Sequence, residues 1–209
     1  MSDEWEKNAE STRRWEQEVR QLLDNGDVAL AVAQVIERYG RELYGFIVNC
    51  LSTIPDADDV FGSVCEGICA GIENFNWHSS MRTWLYSITR HILSHHLSST
   101  QTRKKRFISL AEAPEVYKAV QSVRTVTRSY LKTDVKRRAA ALREKLPLTD
   151  QLLLDLRIDR NLSWREIATV MADTELPPEA LNRAEQNVRK QFQRAKQRFK
   201  DIAKKEGLL

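Results

Sequence analysis

Glycine and proline are scarce in this chain, seven and five residues among 209, and stretches of alternating β-branched residues are almost absent. Sandwiches and barrels need frequent turn residues and period-two strands, so those classes are excluded and the chain reads as all-α. Cysteine is nearly missing too. Cys50, Cys65 and Cys69 make an odd count in apolar surroundings, which excludes a disulfide framework. Apolar runs such as Phe46-Ile47-Val48 and Leu152-Leu153-Leu154 fall far short of a membrane span, so no membrane insertion is expected. Met1-Ser2-Asp3-Glu4 is acidic, without a basic and apolar signal region behind it, and a cytoplasmic protein is expected. Glycine-rich phosphate loops, nucleophile elbows and paired-carboxylate clefts are also lacking, so neither an enzyme nor a cofactor is expected. His91 with His95, and Cys65 with Cys69, have a one-turn spacing that zinc can use. Such pairs are more often core thiols and partly buried imidazoles, and no metal site is expected.

One local absence points the other way. Residues 187–199 read Asn-Val-Arg-Lys-Gln-Phe-Gln-Arg-Ala-Lys-Gln-Arg-Phe, with no acidic side chain. As a helix, this segment sets Val188, Phe192, Ala195 and Phe199 on one side. Arg189, Lys190, Gln193, Arg194, Lys196 and Arg198 take the other faces. One face can pack on a core while the rest offer the donors that phosphates and major-groove base edges accept. Upstream, Ser163 and Glu166 have the spacing of a capping box in front of a short apolar helix. A capped helix ahead of a basic amphipathic one is the layout of a helix-turn-helix. The plainer reading is a solvated charged surface. The net charge is only +4, but the acids crowd the first residues and the bases crowd the last helix, as in a polyanion binder.

Periodicity divides the rest. An acidic helical extension covers residues 1–25 and stops at Asn25-Gly26. Residues 26–97 form a first domain of three or four helices. Its inward residues include Ala31, Val35, Tyr39, Leu43, Phe46 and Ile47, then Val60, Val64, Ile68 and Ile72, then Trp84, Leu85, Ile88, Ile92 and Leu93. Residues 98–136 hold the basic cluster 103–106 and a Ser/Thr/Arg mixture, and read as a linker with some helix and no core of its own. Residues 137–209 form the second domain.

In this order the segments resemble the extracytoplasmic-function sigma factors of bacterial RNA polymerase. Asp56-Ala57-Asp58-Asp59-Val60 is similar to the acidic motif opening that family's polymerase-binding helix. Phe75 and the run Met81-Arg82-Thr83-Trp84-Leu85-Tyr86-Ser87-Ile88-Thr89-Arg90 resemble its promoter-melting segment. Leu146-Pro147, Ser163-Trp164-Arg165-Glu166-Ile167-Ala168 and residues 188–199 resemble its minus-thirty-five domain. The resemblance implies two small helical modules, sigma domains two and four, joined by a linker. It implies as partners core RNA polymerase, promoter DNA as duplex and as melted strand, and an anti-sigma factor. No sustained heptad suggests a dimer seam, and a monomer is expected.

Site residues follow from the matched motifs. Asp58, Asp59 and Glu66 are expected to dock on polymerase, although an acidic helix start also complements the helix dipole. Asn76, Trp77, His78, Ser79, Arg82, Thr83, Arg90 and His91 are expected at the minus-ten strand, where flipped bases are stacked and hydrogen-bonded. Trp77 is the better stacking candidate, because Trp84 lies on the apolar stripe. Asn187, Arg189, Lys190, Gln193 and Arg194 are expected at the minus-thirty-five duplex. The chain departs from the family at Gly62, in place of a glutamine used in polymerase contact, and at His91 and His95, in place of asparagine and aspartate. Residues 173–186 lengthen the turn between the paired helices. Either this is an extended loop, or the recognition helix starts near Pro178 and is long; the breaker-free run after Pro178 favours the long helix. A polymerase-independent helix-turn-helix regulator and a degenerate sigma-like interaction protein are the competing readings.

Overall fold

The structure, a computed structural model, describes residues 2–51, 53–98, 113–130 and 142–207. Helix α1 spans Ser2–Asp24 and ends at the Asn25-Gly26 turn, where the amide of Asp27 returns to the carbonyl of Leu22 at 2.8 Å. Helix α2, Val28–Cys50, is the hub of the first module, with Val32, Val35, Ile36, Leu43, Phe46 and Ile47 buried. Helix α3, Ile54–Gly71, starts at Thr53, whose hydroxyl accepts from the amide of Asp56, with Pro55 in the first turn where its missing N–H costs nothing. A 3-10 turn, Ile72–Asn74, leads into loop 75–80 and then helix α4, Met81–Ser98. Among the described residues there is no strand, as the scarcity of alternating segments requires.

Helix α5, Pro114–Tyr130, lies within the expected linker and packs along α2. Val116, Ala119, Val120 and Val123 are buried there, at the three-and-four spacing of a helical face. The close approach requires Gly40, where a Cβ would stand 2.7 Å from a Val123 methyl. Gly62, buried on α3, leaves room for the Arg124 guanidinium in the same way, with 3.3 Å to its Nη2. Residues 114–126, within the expected linker, form a helix that contributes its apolar face to the core around α2. The basic cluster 103–106 lies outside the described residues.

The second module holds α6, Leu148–Leu154, which widens into a π turn over Asp155–Asp159. Helix α7, Trp164–Met171, follows. Its capping box is complete, with the Ser163 hydroxyl accepting from the Glu166 amide and the Glu166 carboxylate accepting from the Ser163 amide. Helix α8, Pro178–Lys205, begins with its proline in the first turn and runs unbroken, the longer of the two geometries open for the turn. The modules touch, α4 against α7 and α2 against α6.

Candidate nucleic-acid interface

The apolar face of α8 decides where its charges go. Val188, Phe192 and Ala195 are buried, and the Phe192 ring meets Trp164 of α7 edge-on at 5.2 Å. Asn187, Arg189, Lys190, Gln193 and Arg194 are consequently all exposed. Arg189 is partly engaged, bonded to Glu185 at 2.6 Å one turn back and lying over the Trp164 ring. Arg198 is held by the buried Asp150 at 2.5 Å and belongs to the fold more than to the open face.

Six of the expected strand-capture residues, Asn76, Trp77, His78, Ser79, Arg82 and Thr83, lie around the start of α4, and Arg90 and His91 lie midway along it. Ser80 is the N-terminal cap of that helix: its hydroxyl accepts from the amide of Thr83 and lies 2.9 Å from the Thr83 hydroxyl. The amide of His78 donates to the Asn76 side chain at 3.1 Å, shaping the loop. Trp77 adopts φ +62, a left-handed conformation that bulky residues rarely take. It is retained by Phe75, 4.7 Å away, and by the Arg20 guanidinium over its ring. Trp84 also stacks on Phe75, at 4.9 Å, and is half-buried, in keeping with its place on the apolar stripe. Thr83 is buried, whereas His91 is exposed and Ser79 half-buried.

Arg82 is committed to the fold. It is paired with Glu42, and its Nη2 donates to the carbonyl of Arg160 at 2.7 Å, across the seam between the modules. Glu42 also accepts from the Tyr86 hydroxyl at 2.9 Å. Burial is the main cause pushing the Tyr86 phenol well above its usual range, with the Glu42 charge adding to it. The seam continues through Asp155, which is buried and bonded to Arg160 at 2.8 Å and to Asn49 of α2 at 2.5 Å. Arg90 donates from Nη2 to the carbonyl of Ala172 at 3.1 Å and to Asp173 at 2.8 Å. Asn76 and His78 both bond Glu175, at 3.3 Å and 2.6 Å.

Helix α3 treats the three carboxylates expected to dock on polymerase differently. Asp58 accepts from the Tyr44 hydroxyl at 2.7 Å and lies 3.9 Å from Arg124, whose Nη2 also donates to the Asp58 carbonyl oxygen. It ties α3 to α2 and α5. Asp59 is exposed, and Glu66 is half-buried with its carboxyl raised by desolvation.

Two residues of α1 belong to this region without any sequence motif to mark them. Glu16 accepts from the amide of Met81 at 2.8 Å, satisfying a free donor at the start of α4, and Arg20 covers Trp77. In the sequence they are ordinary members of a charged amphipathic helix.

These features define an all-helical protein of two modules, one presenting a cationic helix and the other a polar aromatic loop beside a helix start. Comparison with known proteins agrees. Residues 35–103, from within α2 past the end of α4, match the family model for sigma-70 region 2. The RNA polymerase sigma-H factor of Pseudomonas aeruginosa is 25% identical over 163 residues, 77% of this chain and 84% of the relative. The RNA polymerase sigma factor YlaC of Bacillus subtilis is 26% identical over 144 residues, 68% of this chain and 79% of the relative. The chain thus carries a segment that matches sigma-70 region 2 and is similar to bacterial sigma factors over most of its length.

Proposed function

We propose that the chain binds core RNA polymerase and directs promoter-specific initiation as a member of the extracytoplasmic-function group. The observation that carries this reading is the division of α8. Its apolar side is buried on the capped α7, and its donor-rich side stands open to a duplex, behind a matched region 2. Arg189, Lys190, Gln193, Arg194 and Asn187 read or grip the minus-thirty-five element. Trp77, Asn76, His78 and Ser79 receive the melted minus-ten strand, with Arg90 and His91 on the following helix, while Arg82 and Thr83 support the start of that helix from within the fold. Asp59 and Glu66 supply the polymerase-facing charge on α3, and Asp58 supports that helix from within.

The protein acts as a cytoplasmic monomer held in check by an anti-sigma factor, and no catalytic residue is assigned. Among the described residues no helix is long and apolar enough to cross a membrane. Reconstitution with core polymerase on a promoter library tests the proposal. Discrete start sites are expected. Duplex binding without affinity for core would instead favour a free-standing helix-turn-helix regulator, and neither activity would leave a sigma-like interaction protein.

A further inference from the structure

Arg90, Asn76 and His78, three of the residues assigned to the melted strand, share one neighbour, the turn between α7 and α8. The turn contributes acceptors only: the Ala172 carbonyl and the Asp173 carboxylate to Arg90, and the Glu175 carboxylate to Asn76 and His78. Carbonyl and anionic oxygens are what a single DNA strand presents through its bases and phosphates. We infer that this turn, through Asp173 and Glu175, is an intramolecular occupant of the strand-capture surface, held where a melted strand would bind. The inference rests on the proposed function of that surface.

Three observations support a displaceable occupant. Asp173 and Glu175 are 86% and 65% exposed, so their pairs are solvated and individually weak. Both carboxyls are held below their usual range, Asp173 by its hydrogen bond from Arg90 and Glu175 by its hydrogen bond with His78, and are anionic at neutral pH. Arg90 is mostly buried, yet its Nε has no acceptor among the described residues. The turn therefore leaves part of the guanidinium unsatisfied, and a strand phosphate can engage both nitrogens. The exposed face of α8 takes no part in these contacts. Duplex reading thus remains open while the strand site is covered, and the buried seam at Asp155 and Arg160 is untouched by displacement of the turn.

The experiment uses the full chain without polymerase and a fluorescein-labelled single-stranded oligonucleotide of mixed sequence, read by anisotropy. D173N/E175Q is expected to bind roughly threefold to tenfold more tightly than the parent, the value of two solvated charge contacts. Adding R90A to that variant should abolish the gain. D24N/E37Q removes the same charge at exposed sites of α1 and α2 and should not reproduce it. Unchanged affinity in D173N/E175Q, or an equal gain in D24N/E37Q, overturns the inference. Reconstituted transcription judges the underlying reading separately. A gain in strand affinity without transcripts keeps the covered site and removes the promoter role, and transcripts without the gain do the reverse.

Discussion

Asn49, one residue from the end of α2, donates to Asp155 in the π turn of the second module, 2.5 Å away and 106 residues later in the chain. The same carboxylate accepts from Arg160 and lies 3.6 Å from Arg143, which is also paired with Asp159 at 2.5 Å, so one buried acid joins the two modules within a cluster of two acids and two guanidinium groups. Breaking such a group from one side leaves its partners charged and desolvated. Asp155→Ala is expected to cost about 3 kcal/mol, measured by urea denaturation. A loss below about 0.5 kcal/mol, the scale of ordinary surface substitutions, would show that the seam is not held by this residue.

The contact between α2 and α5 depends on a missing methyl group. Gly40→Ala would place its Cβ 2.7 Å from Val123. Overpacking costs about 1–3 kcal/mol, against about 1 kcal/mol gained in helix propensity. A net loss on the order of 1 kcal/mol is expected, and Gly40→Ala combined with Val123→Ala should cost less than the two single losses added. Strict additivity in the same urea titration would mean that α5 does not pack there.

Arg194 is exposed on α8, and Asp59 is exposed on α3. Arg194→Ala should weaken binding of the upstream duplex element by about 1–3 kcal/mol if it reads a base, or lower the salt slope by about one if it grips phosphate. Core affinity should stay intact. Asp59→Ala should do the reverse. Equal loss of both activities in either variant would indicate damage to folding.

The contact between Arg90 and Asp173 has a defined response to acid. Its hydrogen bond to Arg90 lowers the Asp173 carboxyl below its ordinary range. The contact therefore contributes above the ordinary aspartate pKa and is lost as the pH falls through the depressed value. A carboxyl-carbon NMR titration should find a midpoint below that of an unperturbed aspartate, returning toward it in Arg90→Ala. An identical midpoint in both proteins would contradict the pairing.

The elements that were legible beforehand are those whose signal is local. Ser163 and Glu166 announced the start of α7 because both halves of a capping box lie three residues apart. Pro178 announced α8 because proline suits the first turn of a helix and nothing after it interrupts one. Helix α5 was read less well. Val116, Ala119, Val120 and Val123 have the right spacing, but small apolar residues among Ser, Thr and Arg form a narrow stripe whose burial depends on a groove supplied by Gly40 and Gly62. The acidic motif marks Asp58 as a docking charge, and its contacts with Tyr44 and Arg124, distant in sequence, are visible in the tertiary structure and not along the chain.

The sequence by itself determined that this protein is helical, that its last helix separates an apolar edge from a cationic one, and that a polar aromatic loop precedes a helix with an apolar stripe. Each follows from residue type and spacing within a few turns. Tertiary structure alone decided which polar groups are already in use. Glu175 reaches His78 across 97 positions and Asp155 reaches Asn49 across 106. Contacts between residues so far apart depend on how whole helices dock, and they leave no periodic trace along the chain.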